Sequence, residues 1–471
     1  MAVSEKLQAT PAVEGVTAPA PPAGEGPGFD QPHRAELRWS FGFVGILAYL
    51  VVEYMRLSAQ YQFLLPFQIG KVVIAGSFLG WLIAPRRLPG DRSPIRAIDV
   101  TLVLLLFGAF FSVLFAEHKD LAWAGFVDLL RWAAIYFLIG RIVTGSWRSR
   151  IFVFVLLLLN FKLAQAGIRY YFGSLAHWGN EMIAVKEGAR AGSIGFFSNS
   201  ADFGVAMCVV WPLTAMLLFM KPLRLRWRAL LLAGSGVFLV AILDCGSRGA
   251  LVGAVCAVLA GMVASKRKLA VALMALLLIP GVIFVLPGAS KERFQSAVDY
   301  QNDPTASSRL VFWKAGLMMF RDHPLLGVGI KNFPLTRLAD YAALGDTEKA
   351  WVPHSIYIEV LSELGLAGII PALGLFVLFF RLNAKTRKLL LAQGSEKRGS
   401  FEYCFASGLD LALVGYLTSG AFVAVFYYPH LWVLLGLSVG LYTACCRLQP
   451  QPSSQETRPA EQAGQLQSVG T

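Results

Sequence analysis

The stretch IDVTLVLLLFGAFFSVLFAE (98–117), followed closely by LAWAGFVDLLRWAAIYFLIGRIV (121–143), decides the fold. An apolar run of about 20 residues matches the hydrocarbon thickness of a bilayer when it is helical. Twelve such runs follow one another, with approximate limits 40–55, 63–84, 98–117, 121–143, 151–172, 200–220, 228–245, 248–264, 269–287, 356–380, 406–426 and 430–447. Several contain Gly or Pro, which helix bundles in lipid tolerate. The composition agrees. The 471 residues are 56% hydrophobic and 15% charged, against about 25% charged in a soluble domain. Length alone would suggest about three soluble domains; the runs replace them with one polytopic, all-α membrane protein of about twelve transmembrane helices. Six cysteines without a C-x-x-C pair suggest neither a disulfide framework nor a zinc site.

The net charge of +13 would suggest nucleic acid on a soluble chain. Its distribution says otherwise. With the N-terminus in the cytoplasm, the inner loops 85–97, 141–150, 221–228, 265–268 and 381–398 hold twenty Lys and Arg. The short outer loops hold five, namely Arg56, Lys119, Lys186, Arg190 and Arg248. That asymmetry is the positive-inside rule, and it puts both termini in the cytoplasm. Residues 1–38 (Ala, Pro, Gly, Glu) and 449–471 (Gln, Ser, Pro, Glu) read as disordered tails around a membrane domain, 39–448. No Arg-rich n-region precedes an apolar core, so no cleavable signal is expected. Two outer loops are long, about 173–199 and 288–355. The second precedes the tenth span. It contains a helix-like stretch, Arg309 to Phe320, ended by Asp322-His323-Pro324, and then a turn-rich segment, 327–334. A long loop in a compact membrane protein is usually functional.

Three outer segments carry the candidate chemistry. RAGSIGFFSNSADFG (190–204) enters the sixth span, with Asn199 or Ser200 suited to cap it; the helix N-terminus with Arg190 nearby would suit a phosphate. DCGSRGA (244–250) is a tight turn whose Arg248 sits on the face that positive-inside topology depletes. The bland alternative for Arg248 is snorkelling to a lipid phosphate. PHSIYIEVLSELGLAG (353–368) opens with His354 where the long loop meets the membrane. A neutral imidazole there could take a proton from an acceptor hydroxyl. Glu359 and Glu363, spaced i,i+4, share a helix face pointing away from His354; they suit binding an arginine or shaping a cavity. Arg309, Arg321, Lys331 and Arg337 make the long loop basic, which would suit an anionic lipid-linked donor; a solvated loop is the bland alternative. Asp128 and Arg131 are expected to pair within the fourth span. Lys71, Lys162 and Asp410 lie within spans, and each could line a polar cavity or serve packing alone. Arg56 and Arg169 could add to a basic rim.

No D-x-D, H-E-x-x-H or G-x-x-x-x-G-K-[ST] occurs, which removes support for metal-assisted chemistry and nucleotide-driven pumping. The ordered set RAGSIGFFSNSADFG (190–204), GSRGA (246–250), RLVFW (309–313), HPLLGVGIKNF (323–333) and HSIYIEVLSELGLAG (354–368) resembles the O-antigen ligase and Wzy-type polymerase superfamily of bacterial envelope glycan assembly. The resemblance is close over 185–380 and rests on topology elsewhere. Ser355 stands where many relatives have Asn, and Ser198–Ser200 where relatives often read Asn-Pro-Asn. The resemblance implies a GT-C-like fold in the bacterial inner membrane and a metal-independent, inverting glycosyltransferase with no cofactor. Its donor would be an undecaprenyl-diphosphate-linked glycan on the periplasmic side, its acceptor a glycan or lipid A–core hydroxyl. By position, Arg190 and Arg248 would hold the diphosphate and His354 would be general base or acceptor guide. Arg309, Lys331, Asn199, Glu359 and Glu363 are the further candidates for substrate binding. The competing expectation is a transporter or flippase for lipid-linked sugars, which twelve spans and buried charges also suit. Against it, the candidate charges gather at one face and no internal repeat is visible.

Overall fold

The computed structural model describes residues 39–55, 61–64, 66–84, 92–172, 199–264, 304–341 and 350–447. Both expected tails, the expected span 269–287, Arg56 and Arg190 lie outside the described residues, as does the side chain of Arg169.

The described residues hold thirteen α-helices and no strand. In chain order they are α1 (Phe41–Met55), α2 (Ile69–Ile83), α3 (Ser93–Phe115), α4 (Lys119–Ile142), α5 (Ser146–Phe172), α6 (Ser200–Leu217), α7 (Leu225–Asp244), α8 (Arg248–Ala264), α9 (Pro304–Asp322), α10 (Phe333–Asp340), α11 (Ile356–Leu391), α12 (Phe401–Gly420) and α13 (Pro429–Arg447). Seven of them are long and apolar enough to cross a membrane: α3 to α7, α11 and α13. Three more, α1, α2 and α8, are apolar but shorter. The protein is thus an all-α polytopic membrane protein. Eleven of the twelve expected spans overlap described helices, though the helix expected at 406–426 runs from Phe401 to Gly420 and that expected at 63–84 from Ile69 to Ile83.

These helices are apolar on both faces because both faces meet apolar surroundings. On α3, Leu102, Leu105, Ala109 and Val113 are buried, whereas Val103, Leu104, Phe107 and Leu114 are exposed. At the centre lies α13, buried at every residue from Pro429 to Cys445. Lipid gives no hydrophobic drive for helix association, so close backbone approach between small residues must supply it. Gly436 and Gly440 do this against α4: a Cβ at 436 would lie 2.9 Å from the Tyr136 carbonyl oxygen, and one at 440 would lie 2.5 Å from that of Val143. At the far end of α11, Asp410 accepts from Asn383 (2.9 Å) and Arg387 (2.5 Å), and Ser438 donates to Asn383 (2.7 Å). Asp410 therefore serves packing.

The feature that shapes the candidate site is a break in α11. Gly365 has φ 58° and ψ −151°, a conformation open to glycine. A helix opened inside a span must find new partners for its backbone. They come from the turn-rich segment after α9. Val328 and Gly329 N–H groups donate to the Ser362 and Glu363 carbonyls (2.9 and 3.0 Å), and Leu366 and Ala367 N–H groups donate to Pro324 and Leu325 (2.8 and 3.0 Å). Ser112 of α3 adds a bond to the Glu363 carbonyl (2.9 Å). A Cβ at 365 would come within 2.6 Å of the Leu325 carbonyl carbon. The expected helix of the long loop is present as α9; it begins five residues earlier than Arg309 and ends at Asp322.

Candidate functional site

His354 lies two residues before α11, half-buried, with φ 47°. A left-handed backbone at a non-glycine residue persists only where the surroundings hold it, and such positions concentrate at functional sites. Here two aromatic rings hold it. The Phe312 and Trp351 ring centroids lie 6.0 and 6.2 Å from that of the imidazole. Phe312 is buried and Trp351 is exposed. Burial, then the nearby Arg309 guanidinium, pushes the His354 pKa down to about 4. The imidazole is therefore neutral near pH 7 and offers an accepting nitrogen.

The loop cations divide by environment. Arg309 is half-buried beside His354. Arg337 is fully buried, its guanidinium carbon 5.0 Å from the Phe312 ring centroid, a cation–π contact. Arg321 is exposed and paired with Asp322 (2.9 Å). Asp322 also accepts from the Tyr341 hydroxyl (2.7 Å); these two donors hold its carboxyl below the usual range, while partial burial, then Asp322, push the Tyr341 hydroxyl up to about 12. Lys331, at φ 60°, donates to Asp128 of α4 (2.6 Å). The expected Asp128–Arg131 pair is present at 3.5 Å. Lys331 thus ties the long loop to α4.

Glu359 and Glu363 are both buried on α11. Their partners are not arginines. Glu359 accepts from the Phe426 backbone N–H (3.0 Å) and Glu363 from the Tyr427 hydroxyl (3.0 Å). The next residue, Tyr428, donates to buried Asp202 of α6 (2.6 Å). Three consecutive residues between α12 and α13 therefore bind three buried acids on two other helices. Carbonyls in the same segment accept from Tyr416 (2.5 Å, at Val425) and Trp432 (3.3 Å, at Phe426). Sequence reasoning did not single out Asp202, Tyr427 or Tyr428. The available signal was FYY (426–428) between two apolar runs, polar tips placed where helix ends meet.

Asn199 caps α6: its side-chain oxygen accepts from the Ala201 and Asp202 N–H groups (2.8 and 3.0 Å). That leaves its amide NH2 for any other partner. Arg248 is half-buried at the start of α8, after a turn in which Gly246 takes φ 62°. The turn meets the rest of the site through Gly249, where a Cβ would lie 2.9 Å from Phe422 Cβ. The Phe422 ring in turn faces Trp313 of α9 at 6.4 Å. The starts of α6 and α8, with Asp202 and Arg248, and the residues flanking α11 and α12, with His354 and Phe422, thus converge at one end of the bundle, beside α9. Arg190 lies outside the described residues.

Fold and site define a class: a multi-pass helical membrane protein with a cationic, histidine-bearing site at one end of its bundle. The family Wzy_C, O-antigen ligase, matches residues 229–373. The stretch is less than a third of the 471-residue chain, and it contains Arg248, Arg309, Lys331, His354, Glu359 and Glu363. Over this stretch the chain therefore resembles the O-antigen ligase and Wzy superfamily. Among curated proteins none matches the chain.

Proposed function

We propose that this protein is an inner-membrane glycosyltransferase, both of whose termini are cytoplasmic and whose site opens to the periplasm. It would take a glycan from an undecaprenyl-diphosphate donor and pass it, with inversion, to an acceptor hydroxyl. The observation that carries this reading is His354: a neutral imidazole held in strained backbone beside Arg309, within the matched stretch, at the bundle end that also bears Arg248. An accepting ring nitrogen suits removing or orienting the acceptor proton. The guanidinium of Arg248, and by its place in the sequence that of Arg190, suit the charge that grows on a departing diphosphate. Arg309 is near enough to bear on the same charge. Lys331, Glu359 and Glu363 contribute by holding the loop and α11 in place; Asn199 fixes the start of α6.

The decisive experiment supplies the purified protein in proteoliposomes with an undecaprenyl-diphosphate-linked glycan and two acceptors, lipid A–core and a second repeat unit. Release of undecaprenyl diphosphate with glycan transfer supports the reading, and the acceptor used separates ligase from polymerase. One observation favours a second reading, a flippase: α11 is broken within its span, as the helices of transporter sites are. In those sites the freed backbone lines a cavity, whereas here it is bonded to 324–329. Movement of lipid-linked sugar across the bilayer without transfer would favour the flippase.

A further inference from the structure

Helix α9 has an inverted surface. Its inward residues Phe312, Ala315 and Met319 form a small core with Val328, Phe333 and Tyr341. Its outward stripe is Leu310, Lys314, Leu317 and Arg321, at the 3–4 residue spacing of one helix face. Leu310 is 58% exposed, Leu317 51%, and Leu325 in the following turn 67%. Three large exposed leucines on α9 and the turn after it would be costly in water and need an apolar partner.

Depth identifies that partner. A Cβ on Gly316 of α9 would lie 3.6 Å from Ser362 Cβ, so α9 packs beside the first two turns of a membrane-spanning helix. The Leu325 carbonyl accepts from Ala367 N–H (3.0 Å). A Cβ on Gly108 would meet the Ala367 carbonyl oxygen at 2.6 Å, and Gly108 lies about 10 Å along α3 from its Phe115 end at 1.5 Å per residue. Leu325 is therefore well below the rim of the bundle, level with Leu366 and Ile370, which are themselves exposed on α11 (37% and 63%). Alternating leucines and cations at that level match an interfacial helix, with leucines in acyl chains and long basic stems reaching headgroup phosphates. Arg321 shares its charge with Asp322, so Lys314 is the cation offered to headgroups.

We propose that α9 and the turn after it lie in the lipid interface, with Leu310, Leu317 and Leu325 in the acyl region and Lys314 at an anionic phospholipid headgroup. The surface would hold the His354 loop at the level where a lipid-linked diphosphate sits. The inference does not depend on the reaction proposed above.

The full-length protein, in nanodiscs of phosphatidylcholine and phosphatidylglycerol at 3:1, carries p-benzoylphenylalanine in turn at positions 310, 317 and 325. Position 377, lipid-facing on α11, is the positive control, and position 396, on the loop between α11 and α12, is the negative one. Irradiation followed by mass spectrometry should give phospholipid adducts at 310, 317 and 325 within about threefold of the yield at 377, and none at 396. Crosslinks from 310 and 317 to residues 265–303, crosslinks to a second copy, or no adduct would each overturn the proposal. Lys314→Gln should cut the phosphatidylglycerol share of the adducts at 317 by up to about fivefold, the equivalent of about 1 kcal/mol per surface cation. An unchanged share would overturn the headgroup contact.

Discussion

Removing Arg309 tests the electrostatics of His354. The pKa of this histidine is down at about 4, with burial the larger cause and Arg309 the second. An unperturbed histidine titrates near 6.5, so Arg309 accounts for less than half of that gap. Arg309→Gln should raise the pKa towards the ordinary histidine value while burial still holds it below that value. The sign follows from the base form. Neutral imidazole is the working species, so activity is full at neutral pH and falls as pH drops through the folded value. At pH 4.5 the wild type would keep about three-quarters of its plateau kcat/KM and the variant a smaller fraction of its own. The assay is glycan transfer in proteoliposomes from pH 3.5 to 8, with the acceptor varied. Loss of Arg309 as a donor contact would lower the plateau at every pH without moving the acid limb. Stability follows the same sign. With a depressed folded pKa, the contribution of His354 is present above about 6.5 and lost as pH falls through about 4; the variant should lose less of it. A wild-type limb near 6.5, or a limb unmoved by Arg309→Gln, would refute this reasoning.

Four other outcomes are expected. Gly365→Ala places a Cβ against Leu325 in a conformation that L-residues avoid, and should cost about 2 kcal/mol or more in detergent unfolding. Tyr427→Phe leaves buried Glu363 without its hydroxyl donor and should cost about 1–3 kcal/mol, read by the same unfolding. Asn199→Ala removes two cap bonds, worth about 1 kcal/mol, and should speed amide exchange in the first turn of α6 more than elsewhere. Arg248→Ala should reduce transfer by about a hundredfold or more, and Arg248→Lys should recover only part of it, since a point charge cannot reproduce the planar fork; membrane insertion should be unchanged in both.

The spans were legible because twenty apolar residues in a row have few alternatives. The expected 121–143 became Lys119–Ile142, and 248–264 became Arg248–Ala264 without change. The tenth expected span, α11, runs on to Leu391 rather than 380, since Leu382, Asn383, Thr386 and Leu390 are buried and sustain it. The cap at Asn199 was legible because capping is local. Contacts set by the tertiary fold were not. Lys331 reads as a cation for an anionic donor, yet its partner Asp128 is 203 residues away. Glu359 and Glu363 announce a shared face through their spacing, but the Phe426 N–H and the Tyr427 hydroxyl that donate to them come from more than sixty residues on. Nor does a glycine within a span say that the helix opens there: Gly368 and Gly374 sit in the same helix without positive φ, while Gly365 takes it because 324–329 supplies the bonds.

The central claim is transfer by a site built on His354 and Arg248, and the most direct measurement is undecaprenyl-diphosphate release. Wild-type protein, His354→Ala and Arg248→Ala are reconstituted in equal amounts with an undecaprenyl-diphosphate-linked glycan and an acceptor, and both products are quantified. The account predicts coupled release and transfer by the wild type, with both lost in each variant while donor binding persists in His354→Ala. Near-normal turnover by His354→Ala would contradict it.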